Sequence, residues 1–337
     1  MVDERSPREP GATSPDRVLI TGITGFVGSH LADLFLERGV EVFGFRRYHL
    51  SPMHNVSHIE DRINWVDCDM TDQKAVAKAI GLVLPDRIFH MAAQSFVSPS
   101  WDHPHLYMDA NYKMTVNLFE ACLTNDINPR ILIPGSGEEF GEIQEEELPI
   151  TEETILRPVN PYAVTKIAQD LIGYVYHRSY GMDIIRTRAF NHEGPRRSKV
   201  FGIPSYAYQV SRIERGLQEP VVKVGHIDDR RNFTHVLDMV EAYSLAIDRC
   251  EPGELYLIGS SRDEDIRSFR DAVEQLIARS SVDGIMYETD SRYVRPTQVP
   301  FLLCDAAKFV ALTGWQPSLG FERILDDTLA YWRNHVG

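Results

Sequence analysis

Tyr162-Ala-Val-Thr-Lys166 places a phenol and an ammonium four residues apart, directly behind Asn160-Pro161. The Asn-Pro pair sets a helix start, so the two side chains fall one turn apart on one face. A cation beside a phenol favours the phenolate, and Tyr162 can then exchange protons near neutral pH; a surface Tyr/Lys pair is the plain alternative. Upstream, Ser136-Gly-Glu138 combines a hydroxyl that can support a carbonyl oxygen with a carboxylate that can remove an acidified carbon-bound proton. Glu139 competes for the carboxylate role, and an ordinary loop acid would explain either.

Gly22-Ile-Thr-Gly25-Phe-Val-Gly28 follows a strand-like run and opens a helix-like one. Glycines at this spacing allow a tight turn and bring backbone amides close to a pyrophosphate at the helix N-terminus. Gly22, Thr24, Gly25, Phe26, Val27 and Gly28 are the expected contacts. Arg46-Arg47 ends the second strand-like run, where an NAD site would usually carry an acid. Cations there suit the ribose 2′-phosphate of NADP, with NAD less favoured; a solvated arginine pair is the alternative. Asp69 and Met70 can meet the adenine, while Asp72 can equally cap a helix. His54 and His58 lack the glutamate and third ligand of a metal motif, so no metal is expected.

The elements that must position these groups alternate. Strand-like runs at 17–21, 40–45, 63–66, 87–90, 130–133 and 183–186 are separated by helical stretches at 26–38, from Asp72, at about 106–124 and at 161–180. Such alternation predicts an α/β fold, a Rossmann-type doubly wound parallel sheet, with a smaller C-terminal α/β lobe for substrate. The expected division is a disordered leader over 1–16, a dinucleotide-binding domain over 17–190 with a return segment at about 231–260, and the lobe from 191–230 and 261–337. Glu145-Glu-Glu147 reads as a solvated loop.

The 337 residues carry 35 Lys+Arg against 49 Asp+Glu, a net charge of −14. That argues against a nucleic-acid or anionic-membrane binder. Cys68, Cys122, Cys250 and Cys304 are widely spaced, as expected of reduced, buried thiols in a cytoplasmic protein.

Four stretches, Ala92-Ala-Gln-Ser95, Asn160 to Lys166, Phe190-Asn-His-Glu-Gly-Pro-Arg-Arg197 and Arg295-Pro-Thr-Gln298, resemble the extended short-chain dehydrogenase/reductase family. The nearest branch is that of GDP-mannose 4,6-dehydratases and GDP-4-keto-6-deoxymannose reductases. The resemblance implies Ser136, Glu138, Tyr162 and Lys166 as catalytic residues. It adds Ala92, Ala93 and His192 to the NADP site, and Ser95, Asn191, Arg197, Val224, Arg231, Arg295 and Gln298 to a GDP-sugar site. Arginine forks suit a diphosphate. The implied reaction is a 4,6-dehydration; the alternatives are the reductase, dehydration of another GDP-sugar such as GDP-manno-heptose, or a non-catalytic cofactor sensor. A homodimer or homotetramer, paired through the helices at about 106–124 and 161–180, is also implied. Four positions depart from the branch pattern: Phe26-Val27 stands for Gln-Asp, Asn232 for an aspartate, and Gln298 for a carboxylate near the ribose.

Overall fold

Six β-branched runs form parallel neighbours, β1 Arg17–Thr21, β2 Glu41–Arg46, β3 Asn64–Asp67, β4 Arg87–His90, β5 Arg130–Ser136 and β6 Ile184–Ala189. With Leu255–Ile258 they make a seven-stranded sheet, ordered Leu255–Ile258, β6, β5, β4, β1, β2, β3. The computed structural model describes residues 16–336, so the expected leader over 1–16 lies outside the described residues except for Asp16. Strand order reverses beside β1, and ligands in such sheets gather beyond the carboxyl ends of the strands at that point.

The crossover helices are α1 Phe26–Glu37, α2 Gln73–Val83, α3 Pro104–Met108, α4 Met114–Thr124 and α5 Pro161–Tyr180. Asp72 accepts from the amides of Lys74 and Ala75 and caps α2, which decides between the two readings of that residue. The stretch expected as one helix over 106–124 carries a π-helical turn, Asp109–Lys113, between α3 and α4. Such a turn leaves i→i−4 hydrogen bonding locally unmade, and Asn111 inside it ties to Thr165 of α5 at 2.9 Å. Strand β5 runs three residues beyond its expected end at Ile133, which carries Ser136 to the sheet edge.

Apolar side chains pack on both faces of the sheet. Leu31, Phe35, Val240 and Ile247 cover one face; Val76, Ile80, Leu118, Cys122 and Tyr176 cover the other. A separate core, with Ile203, Val210, Phe233, Val273 and Ile324, builds the lobe. Within 261–337, Phe309 and Trp315 pack into the sheet's own core with Tyr256. Burying each large apolar side chain there is worth about 2 kcal/mol, enough to draw the chain back from the lobe. Val273, Leu276, Ile324 and Leu325, on either side of that stretch, belong to the lobe core. Glu145–Glu147 is a short 3-10 turn, and Glu147 is gripped by Arg157 through two bonds of 2.7 and 2.8 Å, so the run is not simply solvated.

Candidate active site

The glycine loop runs from β1 into α1. Gly22 has φ of +64°, and a Cβ there would lie 2.7 Å from the Ala92 amide nitrogen. A Cβ on Gly28 would lie 2.4 Å from the Gly22 carbonyl oxygen. Only glycine allows that approach, and no side chain caps the N-terminus of α1 at Gly25. The first amides of a twelve-residue helix thus stay available to an anion, which fits the dinucleotide pyrophosphate. Phe26 stacks on His192 with ring centroids 5.9 Å apart, and the Arg197 guanidinium lies 5.4 Å from the Phe26 ring centroid. Burial, with Arg197 adding to it, lowers the His192 pKa to about 4, so the imidazole is neutral.

The two arginines after β2 differ. Arg46 donates to Asp67 at 3.1 Å and lies over Trp65, whereas the Arg47 side chain is exposed. Asp69 accepts from the amide and hydroxyl of Thr71 at 2.9 and 2.7 Å, and those bonds hold its carboxyl below the usual range. The Met70 side chain is buried among Val66, Val76 and Ile80, so it offers an adenine no side-chain surface. Ala93 and Ser95 are exposed beyond β4.

Ser136 ends β5, and its Oγ accepts from the Glu138 amide at 3.2 Å, starting the 3-10 turn Gly137–Glu139. The adjacent acids then separate. Glu139 is fully buried, accepting from the Ser136 amide and from Arg188, both at 2.7 Å. Burial raises its pKa, with Arg188 opposing. Glu138 stays partly open, with Asn160 Nδ2 donating to Oε2 at 3.0 Å and Arg295 Nη1 donating to Oε1 at 3.3 Å. The rivalry between the two acids is therefore resolved by burial.

Tyr162 and Lys166 share the buried face of α5 as their spacing predicts. The expected electrostatic pairing differs. Burial pushes the Tyr162 phenol well above its ordinary value; a hydrogen bond with Ser136 and the charge of Arg197 pull it down, while Glu138 and Glu139 push it up. Lys166 instead donates to the Pro134 carbonyl at 2.5 Å and to Gln169, and burial lowers its pKa against Glu139 and Asp170. Arg197 is thus a cation near the phenol that the spacing did not mark. Behind Lys166 a buried chain of side chains runs from Gln169 to Thr115 at 2.8 Å, Thr115 to His90 at 3.0 Å and His90 to Thr21 at 2.8 Å.

On the lobe side, Arg231 is buried and donates to the carbonyls of Arg230, Pro300 and Val299. Asn191 follows β6, and its carbonyl accepts from the Thr234 amide at 2.9 Å. Gln298 donates to Asp229 at 2.6 Å, and Asp229 lies 3.6 Å from Arg231. Asn232, at the position where the branch has an aspartate, donates to the Ser260 carbonyl at 2.6 Å and to Cys304 Sγ at 3.0 Å. The Val224 side chain is buried in the lobe core with Val222 and Ile227. Its sequence neighbour Gly225 is pressed against the Tyr293 carbonyl, where a Cβ would sit at 2.3 Å.

A glycine cradle, a buried Tyr/Lys pair and a partly exposed glutamate thus meet at one sheet edge. The family model for GDP-mannose 4,6 dehydratase matches residues 19–328. The chain belongs to the GDP-mannose 4,6-dehydratase family. GDP-mannose 4,6 dehydratase 1 of Arabidopsis thaliana is 30% identical over 323 residues, 91% of this chain and 87% of that protein. The GDP-6-deoxy-D-mannose reductase of Pseudomonas aeruginosa is 28% identical, over 95% and 98%. The solved structure of RMD from Pseudomonas aeruginosa complexed with NADPH superposes with a TM-score of 0.82 at 28% identity, covering 95% of this chain and 100% of that one. Asn160, Asp229 and Arg188 are further residues of the site that no motif marks as such. Spacing shows Asn160 as a helix start, and its second hydrogen bond, to Glu138, leaves no mark on spacing.

Proposed function

We propose that the protein is an NADP-dependent 4,6-dehydratase of GDP-mannose or a close GDP-sugar. The observation that carries this is the pairing of a buried phenol with a separate, partly exposed carboxylate, Tyr162 and Glu138, at the mouth of a dinucleotide cradle. Gly22, Gly25, Gly28 and Arg47 would hold NADP, with Lys166 toward its nicotinamide ribose. When bound, NADP supplies a hydride acceptor at sugar carbon 4 and returns that hydride to carbon 6.

The remaining steps belong to this chain's own side chains. Tyr162 would take the proton of the carbon-4 hydroxyl once Arg197, Lys166 and the positive charge of the oxidised nicotinamide together offset the burial that raises its pKa, and Ser136 donates to the resulting carbonyl oxygen. The ketone acidifies carbon 5, whose proton passes to Glu138 as the carbon-6 hydroxyl departs. Two protons have been taken, one by Tyr162 and one by Glu138. The first leaves with the hydroxyl as water, and Glu138, whose carboxyl proton exchanges with solvent, returns one to carbon 5, so both side chains end as they began. Arg231 and Arg295 suit the diphosphate.

The second reading is the reductase, favoured by one observation: the chain covers 98% of the Pseudomonas reductase against 87% of the Arabidopsis dehydratase. Incubation of purified protein with GDP-mannose and catalytic NADP⁺, without reductant, separates them. A 4-keto-6-deoxy product supports the dehydratase. No product, together with NADPH oxidation on a GDP-4-keto sugar, supports the reductase.

An apolar face on α3 and α5, with Leu106, Leu171, Tyr174 and Val175 each 44–50% exposed, supports self-association through those helices. Light scattering that returns a monomer mass at micromolar concentration contradicts this. The four cysteines are buried and unpaired, which suits a reducing cytoplasm. No helix among the described residues is long and apolar enough to cross a membrane.

A further inference from the structure

We propose that Asn160 is a positioning residue that holds Glu138 against the sugar carbon it deprotonates, while also starting the helix that carries Tyr162. Asn160 is 6% exposed. Its Oδ1 accepts from the Ala163 amide at 2.7 Å, and its Nδ2 donates to Glu138 Oε2 at 3.0 Å. One planar amide therefore fixes the base relative to the first turn of α5, two residues before Tyr162. Glu138's other oxygen meets Arg295, a residue assigned above to the diphosphate. Asn160 is thus the contact to Glu138 that belongs to the scaffold.

The residue type matters. Aspartate caps a helix as well as asparagine, but it is acceptor-only and would repel Glu138. Serine also caps, but its shorter side chain withdraws the donor. Both variants keep α5 and release the carboxylate. The inference rests on the dehydratase reading, in which two proton removals occur at different carbons. Removal at carbon 4 uses Tyr162, and removal at carbon 5 uses Glu138. At carbon 5 the C–H bond breaks, its electron pair becomes the carbon 5–carbon 6 double bond, and the hydroxyl leaves carbon 6. Losing Asn160 slows the second removal and spares the first.

The test uses the full chain with NADP⁺ and GDP-mannose, in wild type, Asn160→Asp and Asn160→Ser, with melting temperatures measured alongside. A misplaced base costs about 10²-fold, so turnover falls by that order while oxidation at carbon 4 keeps its rate. Reduced nicotinamide absorbance then builds up in the variants, and solvent deuterium enters carbon 5 correspondingly more slowly. Unchanged turnover in both variants overturns the inference, as does equal slowing of both steps without accumulated reduced nicotinamide. A wild type that makes no keto sugar overturns the dehydratase reading and this inference with it. A productive wild type beside unchanged variants overturns this inference alone.

Discussion

Arg188 donates through Nε to Glu139 at 2.7 Å, both side chains being buried, and this pair leaves Glu138 as the acid open to substrate. Arg188 also holds Asp170 at 2.6 Å, and Arg186 reaches the other oxygen of Asp170 at 3.0 Å. Two arginines of β6 and two acids from β5's turn and α5 thus form a buried network beneath the site. Breaking such a pair strands a charge and costs about 3 kcal/mol or more. Glu139→Ala is expected to lower the melting temperature by several degrees. Glu138→Gln is expected to keep it and lose about 10²- to 10⁴-fold in turnover. Calorimetry and steady-state rates on both variants check the assignment; reversed phenotypes contradict it.

Burial holds His90 neutral, lowering its pKa from 6.5 to about 3, with Lys166 adding to the effect. An unfolded His90 protonates near 6.5 while the folded one does not. Its contribution is therefore present above pH 6.5 and is lost as pH falls from there toward 3. Relative to His90→Gln, the wild type should lose stability advantage steadily from pH 7 to pH 4. Denaturant melts across that range give the sign. An advantage that grows on acidification contradicts a neutral His90.

Arg46 is already paired with Asp67, so the 2′-phosphate of NADP should depend chiefly on Arg47. A hydrogen bond to a charged group is worth about 1.5–3 kcal/mol. Arg47→Ala should weaken NADPH binding by about tenfold or more and leave NADH binding nearly unchanged, with a smaller effect for Arg46→Ala. Fluorescence titration with both cofactors decides, and equal losses for NADH and NADPH contradict the assignment.

The Gln298–Asp229 contact of 2.6 Å brings a carboxylate to the point where the family resemblance implies one, carried by a different residue. If Asp229 takes the ribose hydroxyls, Asp229→Asn raises KM for the GDP-sugar about tenfold at nearly constant kcat. Adding Gln298→Glu should recover most of the loss. An unchanged KM in the single variant contradicts the role.

What the sequence made legible was local. Strand–helix alternation, the glycine spacing, Asp72 and the Asn160-Pro161 start all reflect backbone geometry, which neighbouring residues determine. The Tyr162/Lys166 pair was legible as a face of one helix, but its electrostatics were not. Arg197 comes from a segment 35 residues after Tyr162, and burial outweighs its pull on the phenol. The choice between Glu138 and Glu139 depended on Arg188 from β6, and the placement of Phe309 and Trp315 on a chain return that no local pattern marks. Val224 shares the buried face of its strand with Val222, but which lobe residues cover that face depends on segments far along the chain.

The central claim is that oxidation at carbon 4 and reduction at carbon 6 happen within one sugar. Conversion of GDP-mannose bearing deuterium at carbon 4, with catalytic NADP⁺, tests it most directly. The account predicts a 4-keto-6-deoxy product with the deuterium at carbon 6. Label missing from carbon 6, or no conversion without added reductant, contradicts it.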